Sequence, residues 1–162
     1  MSLIDPAAFT LPYDHHLARA LGALGHDVEL VCSRFRFGEA PEPDGYRRRE
    51  LFYPVSSRVF GRSRLRLPVK AVEHAAGLTR LRGVRTDVVH VQWAPLPELD
   101  VRLMPAGRRA VMTAHDILPR RTAGKVDLWR RLYDRYARIV VHSENGAGRL
   151  TEVVGIPADR VR

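Results

Sequence analysis

The sequence predicts a doubly wound α/β domain, with a mostly parallel sheet and helices on both faces. Three observations predict it. Short β-branched, apolar runs alternate along the chain with longer stretches of helical period, the pattern of successive right-handed βαβ units. The 162 residues carry no internal repeat and no low-complexity segment, and 45% hydrophobic against 28% charged residues is the balance of a folded domain. Three of the later runs bring in a histidine, His90, His115 and His142, spaced 25 and 27 residues apart. Each interval is one βαβ step, so the spacing repeats a topology and need not be a metal signature.

The elements follow in order. Leu3-Ile4 reads as the stub of a first strand. Asp14 is placed to cap a helix over residues 15–24, with Leu17, Leu21 and Leu24 on one face and Gly25 as its stop. Residues 27–32 (DVELVC) read as a buried strand. Gly38, Pro41, Pro43 and Gly45 make residues 33–48 a loop. A short strand over residues 50–55 ends at Pro54, a polar connection covers 56–63, and 65–81 is a basic amphipathic helix with Pro68 in its first turn. Further strands lie at 87–92, 109–114 and 138–142, with a short helix over 98–104 between the first two. A helix over 126–136 separates the last two, its stripe formed by Trp129, Leu132, Tyr133 and Tyr136. Ser143 caps a final helix to about Val154, Gly155 stops it, and residues 157–161 add one turn.

The charge is uneven. The chain has 27 Lys+Arg against 18 Asp+Glu, a formal +9, and only Lys70 and Lys125 are lysines. Residues 1–33 hold one arginine and four acids, whereas 34–85 hold twelve arginines and Lys70 against five acids, net +8. The dense parts are Arg34 and Arg36 with Phe35 and Phe37, the run Arg47-Arg48-Arg49, and Arg58 to Arg66. Such a patch suits nucleic acid, anionic lipid or a phosphorylated ligand, or is an arginine-rich solvated face. The single cysteine, Cys32, excludes an internal disulfide and a cysteine-based zinc site and fits a reducing compartment. No uncharged stretch approaches the about 18 to 20 residues of a membrane span. The first residues lack the basic region and apolar core of a signal peptide.

Doubly wound sheets bind ligands at the carboxyl ends of their strands. The first strand delivers residues 5–16, with Tyr13, Asp14, His15 and His16. The fourth delivers Gln92-Trp93, the fifth His115-Asp116 and the sixth His142-Ser143-Glu144. His115-Asp116 is the sharpest pair. An imidazole at a strand end can hydrogen-bond a sugar hydroxyl or a developing charge, and the carboxylate can accept from hydroxyls. The plainer reading is a histidine satisfied by a carbonyl and an aspartate capping the next helix. Trp93 is a stacking platform or part of the core. Ser143-Glu144 reads as a helix cap more than a nucleophile. One of His15 and His16 packs or faces solvent while the other can face the rim.

No G-x-G-x-x-G, P-loop, G-x-S-x-G or H-E-x-x-H motif is present, so dinucleotide, NTPase, hydrolase and zinc readings lack their fingerprints, and no metal is expected. A nucleic-acid-binding module has only the charge in its favour. A non-catalytic interaction domain would need no His115-Asp116 and no open cleft.

An ordered set of pieces carries a resemblance: Phe9-Thr-Leu-Pro-Tyr-Asp-His-His16 leading into residues 17–31, then DVVHVQW at 87–93, VMTAHD at 111–116, RIVVHSE at 138–144 and VGIPADRV at 154–161. Together they resemble the N-terminal half of a GT-B glycosyltransferase of the large retaining group called family 4, over essentially the whole chain. The resemblance implies two Rossmann-like domains facing across a cleft. Residues 1–162 would form the single N-terminal, acceptor-side domain. A C-terminal domain, absent from this chain, would bind the nucleotide of an activated sugar and carry the paired glutamates. The isolated domain would then be inactive. His115 would lie by the donor sugar, with Asp116 as its catalytic neighbour. Ala7, Ala8 and Phe9 would lie on the donor-phosphate side, in a loop that often carries glycines in relatives and has none here. Tyr13, Asp14, His15, His16 and Trp93 would face the acceptor. The implied partners are a nucleotide-sugar donor, which is a substrate and not a cofactor, and a sugar, lipid-linked or phosphorylated acceptor. An anionic membrane surface would meet residues 34–66, and nucleic acid is not expected. The setting would be cytoplasmic, peripheral at the inner face of the membrane, in polysaccharide or glycolipid biosynthesis by a hexosyl transfer. The ends agree: only Leu3-Ile4 stand where a full first strand is expected, and the sequence stops where another would begin, which predicts a piece of a longer protein.

Overall fold

The computed structural model describes residues 1–56, 58 and 66–162. Its elements are β1 (Ser2–Asp5), α1 (Leu11–Ala23), β2 (Glu29–Ser33), β3 (Arg47–Phe52), α2 (Arg66–Leu81), β4 (Val89–Val91), α3 (Pro97–Leu103), β5 (Gly107–Thr113), α4 (Val126–Tyr133), β6 (Tyr136–Val140), α5 (Glu144–Glu152) and a 3-10 turn at Ala158–Arg160. The strands form one sheet in the order β3-β2-β1-β4-β5-β6, and every pairing is parallel. This is the predicted doubly wound architecture.

Alternation along the strands sorts the core into two layers. Leu3, Leu30 and Cys32 pack with Leu11 and Ala18 of α1. Ile4, Val31, Val91, Met112 and Ile139 pack with Leu78 of α2 and with Trp129, Leu132 and Tyr133 of α4. All four residues of β1 are buried, as befits a central strand. The chain leaves β1 leftward to β2 and later returns to its right side at β4, so the order reverses there. The loops after these two strands bound the crevice in which such sheets hold ligands.

Three elements depart most from expectation, α1, β3 and α4. α1 begins at Leu11, with Thr10 as its N-terminal flank and Pro12 in its first turn. Asp14 therefore does not cap the helix; it lies inside it and is fully buried. Leu24 falls past the helix end and is 75% exposed, while Gly25 takes the left-handed φ of +88°. β3 runs from Arg47 to Phe52, three residues earlier at each end than expected, and two of its arginines have acidic partners: Arg47 Nη2 lies 3.1 Å from Asp27, just before β2, and Arg49 Nη2 lies 3.0 Å from Glu29 on β2. Two of the three clustered arginines are thus paired across to the neighbouring segment from an edge strand, where charge also discourages further pairing. α4 stops at Tyr133 and Tyr136 opens β6, while Arg135 between them donates to the main-chain oxygens of Asp100 and Met104 at 2.9 Å each. Ser143 caps α5 as predicted, its Oγ accepting from Gly146 N–H at 3.1 Å.

Phe60, Arg62 and Arg64, on which part of the expected membrane surface falls, lie outside the described residues, as does most of the polar connection over 56–63. Among the described residues, no helix is long and apolar enough to cross a membrane.

Candidate active site

Asp5 ends β1 fully buried, and the following loop folds around its carboxylate. Oδ1 accepts from Ala7 N–H at 3.2 Å, Oδ2 accepts from Thr10 N–H at 3.1 Å, and Ala8 N–H donates to the Asp5 main-chain oxygen at 3.1 Å. Ala8 sits at a φ of +51°, a left-handed turn that glycine adopts without steric cost. The loop keeps a glycine-like backbone without a glycine. The N–H groups of Ala7 and Ala8, expected on the donor-phosphate side, are committed to Asp5.

Below this loop, Thr10 Oγ1 accepts from Trp93 Nε1 at 2.9 Å and donates to Asp14 Oδ2 at 3.3 Å. Burial, reinforced by the adjacent Asp5 carboxylate, pushes Asp14 up to about 9; burial also raises Asp5. Two carboxyls this close cannot both ionise, so Asp14 holds a proton at neutral pH. Its Oδ1 has no other partner and can donate toward Asp5. A continuous hydrogen-bonded path thus runs from the Trp93 indole through Thr10 to the carboxyl pair.

The strands on the other side supply a ring cluster. His115, just after β5, stacks on Trp93 with centroids 5.1 Å apart and planes 9° apart. Tyr13 meets His115 edge-on at 5.1 Å and His142 at 5.4 Å. His115 Nε2 donates to Gln92 Oε1 at 3.0 Å, and His115 Nδ1 accepts from His142 Nε2 at 3.1 Å. Behind it, His90 Nε2 meets Thr113 Oγ1 at 2.8 Å. Burial, with His142 and His90 adding to it, holds His115 down to about 4; burial alone does the same for His90. His115 is therefore a neutral imidazole at pH 7, suited to hydrogen-bond a hydroxyl and not to act as a fixed cation. A cavity of about 180 Å³ opens beside it, with Asp116, Ser143, Asn145 and Arg149 in its lining.

The structure brings Phe9, Tyr13, Trp93 and His115 together and leaves Asp116 exposed at the cavity. It does not bring His15 and His16 there. His15 Nδ1 bonds Tyr46 Oη at 2.9 Å, and His16 is exposed with its ring against His15. Asp14, expected to face the acceptor, is buried beneath the loop and faces Thr10 and Asp5 instead. Trp93 is no open platform: His115 covers one face and Phe9 meets it edge-on at 5.5 Å. Asp5, Thr10 and Gln92 are at the rim as the topology predicts, but the sequence assigns them no role, because their partners Asp14, Trp93 and His115 lie 9 to 83 residues away. Among the described residues no group of three His, Cys, Asp or Glu side chains is placed to hold a metal ion.

A parallel, doubly wound sheet with aromatic rings and hydrogen-bonding groups gathered at its switch point is a Rossmann-like domain, with its crevice where such sheets hold ligands. No curated protein matches the chain significantly. Residues 13–162 match the model of Glycosyltransferase Family 4, and the chain belongs to that family. Membership implies a sugar donor and an acceptor as its partners.

Proposed function

We propose that this chain is the acceptor-side, N-terminal domain of a GT-B enzyme that moves a hexosyl group from a nucleotide sugar to an acceptor with retention of configuration. One observation carries the reading: His115 is held neutral at a strand end, between Gln92 and His142 and flat against Trp93. A fixed, uncharged imidazole offers a hydrogen bond to a donor hydroxyl, and displacement of the exposed His142 would free Nδ1 to accept one. Asp116 accepts from hydroxyls of the incoming sugar, Tyr13 and Trp93 form the acceptor-side wall, and Phe9 adjoins Trp93 from the donor-phosphate side. The nucleotide is held by a second domain, so residues 1–162 alone turn over no substrate. In the two-domain enzyme, His115→Ala lowers kcat by about 10²-fold or more; a loss below about threefold would reduce His115 to a structural role.

The exposed Phe37 and the arginines flanking it support peripheral docking on an anionic membrane. Flotation with vesicles, with and without anionic lipid, tests this; indifference to lipid charge removes it.

A further inference from the structure

Resting on that acceptor-side reading, we propose that the other half of the rim carries a phosphate-binding pocket, which anchors a phosphate group borne by the acceptor. A cavity of about 270 Å³ lies between the loop after β1, the end of β2 and the turn after β3. Two cations line it, Arg36 from the segment after β2 and Lys70 from α2. A hydroxyl residue joins them, Ser33, which is 4% exposed, while Ser56 beside it gives its hydroxyl to Glu73. Two cations with a hydroxyl donor form a donor set that suits a phosphate.

The floor of the pocket is built to hold its lysine. Lys70 Nζ lies 4.5 Å from the centroid of the Tyr53 ring, over its face. Tyr53 has a φ of +55°, costly for a bulky residue unless the surroundings dictate it. They do: its hydroxyl donates to His74 Nδ1 at 2.7 Å, His74 Nε2 donates to Asp100 Oδ1 at 2.5 Å, and Asp100 Oδ2 accepts from Leu96 N–H at 2.8 Å. His74 and Asp100 are fully buried. A chain of buried hydrogen bonds from α3 through α2 thus fixes the ring on which the lysine rests. The neighbouring carboxylate, Glu73, is occupied by the N–H groups of Val55 and Ser56 at 2.6 and 3.0 Å and by the Ser56 hydroxyl. Phe9 closes the pocket on one side and meets Trp93 on the other, so the phosphate site and the His115 cluster share a wall. A ligand held by its phosphate in the pocket would reach past Phe9 toward His115.

The test is titration of the chain with glycerol 3-phosphate, with glycerol as the uncharged control, followed by backbone amide NMR shifts. In parallel, vesicles of phosphatidylcholine are offered with and without phosphatidic acid. The expected result is phosphate-dependent shifts at Ser33, Phe37 and Ser56 or selective capture on phosphatidic acid. Binding weakens about tenfold or more in Arg36→Gln/Lys70→Gln. The surface control Arg120→Gln/Arg121→Gln leaves it unchanged. Binding of the soluble probe assigns a free phosphorylated acceptor; capture on vesicles alone assigns a lipid-borne phosphate. Equal response to glycerol, equal weakening in both arginine-containing double variants, or no response to either phosphate source overturns the pocket. A failed transferase reading would instead appear as absent turnover with nucleotide sugars and leave these titrations intact.

Discussion

Beneath the loop after β1, two buried carboxyls face each other, Asp5 and Asp14; beneath the turn after β3, one buried carboxyl, Asp100, faces an imidazole, His74. Both arrangements give a buried carboxyl its hydrogen-bond partners and both support the rim above them. The first pairs it with a second carboxyl that keeps a proton, the second with an imidazole. Each half of the rim can therefore be released in its own way. The loop holding Phe9 and Thr10 is vulnerable to loss of a proton, and the turn holding Tyr53 is vulnerable to loss of a side chain.

The largest expected effect falls on the second arrangement. Asp100→Ala strands His74 and the Leu96 N–H in the core, with an expected loss of about 3–5 kcal/mol by urea unfolding. A loss under about 1 kcal/mol would show that Asp100 does not hold the turn after β3 in place. The first arrangement should behave oppositely on neutralisation. The Asp14 carboxyl is raised from 3.8 to about 9 in the folded protein, so its contribution is full below about pH 4 and is lost as pH rises toward 9. Asp14→Asn should therefore be more stable than the parent at pH 8 by at least about 1 kcal/mol, with the advantage vanishing near pH 4. Urea midpoints at pH 4, 6 and 8 read this directly, and a variant weaker than the parent at pH 8 would show that the two carboxyls do not share a proton. The smallest effect is expected at the link between loop and ring cluster. Thr10→Val removes the oxygen joining Trp93 to Asp14 and should cost about 1 kcal/mol while altering the indole fluorescence. An unchanged emission spectrum would separate the rim from the carboxyl pair.

Much of the scaffold was legible because its signals are local. Gly25 and Gly155 mark left-handed stops, Ser143 caps its own helix, and the apolar runs become parallel strands. The start of α1 was not, because the side chain that most resembles a cap, Asp14, is recruited by Asp5 nine residues earlier. The start of β3 was not, because its arginines gain partners only when β2 lies beside them. At the rim, His115 could be placed from topology alone, since a residue after a parallel strand is delivered to the carboxyl edge. His15 and His16 could not. Tyr13 and His15 lie about 200° apart around a helix, so when Tyr13 meets the ring cluster His15 points elsewhere, and it meets Tyr46. His74 gave no signal at all; its partners, Tyr53 and Asp100, lie 21 and 26 residues away.

The bond from Trp93 to Thr10 spans 83 residues, and the β1–β4 pairing beside it joins the neighbouring strands farthest apart in sequence. Closing so long a span spends chain entropy before any contact rewards it. During synthesis β1, α1 and β2 emerge well before β4, so the left side of the sheet can zip together while its central strand still has an open edge. The crevice is then a late product of folding, and the arrival of Trp93 against Thr10 marks the moment at which the His115 side of the rim is complete.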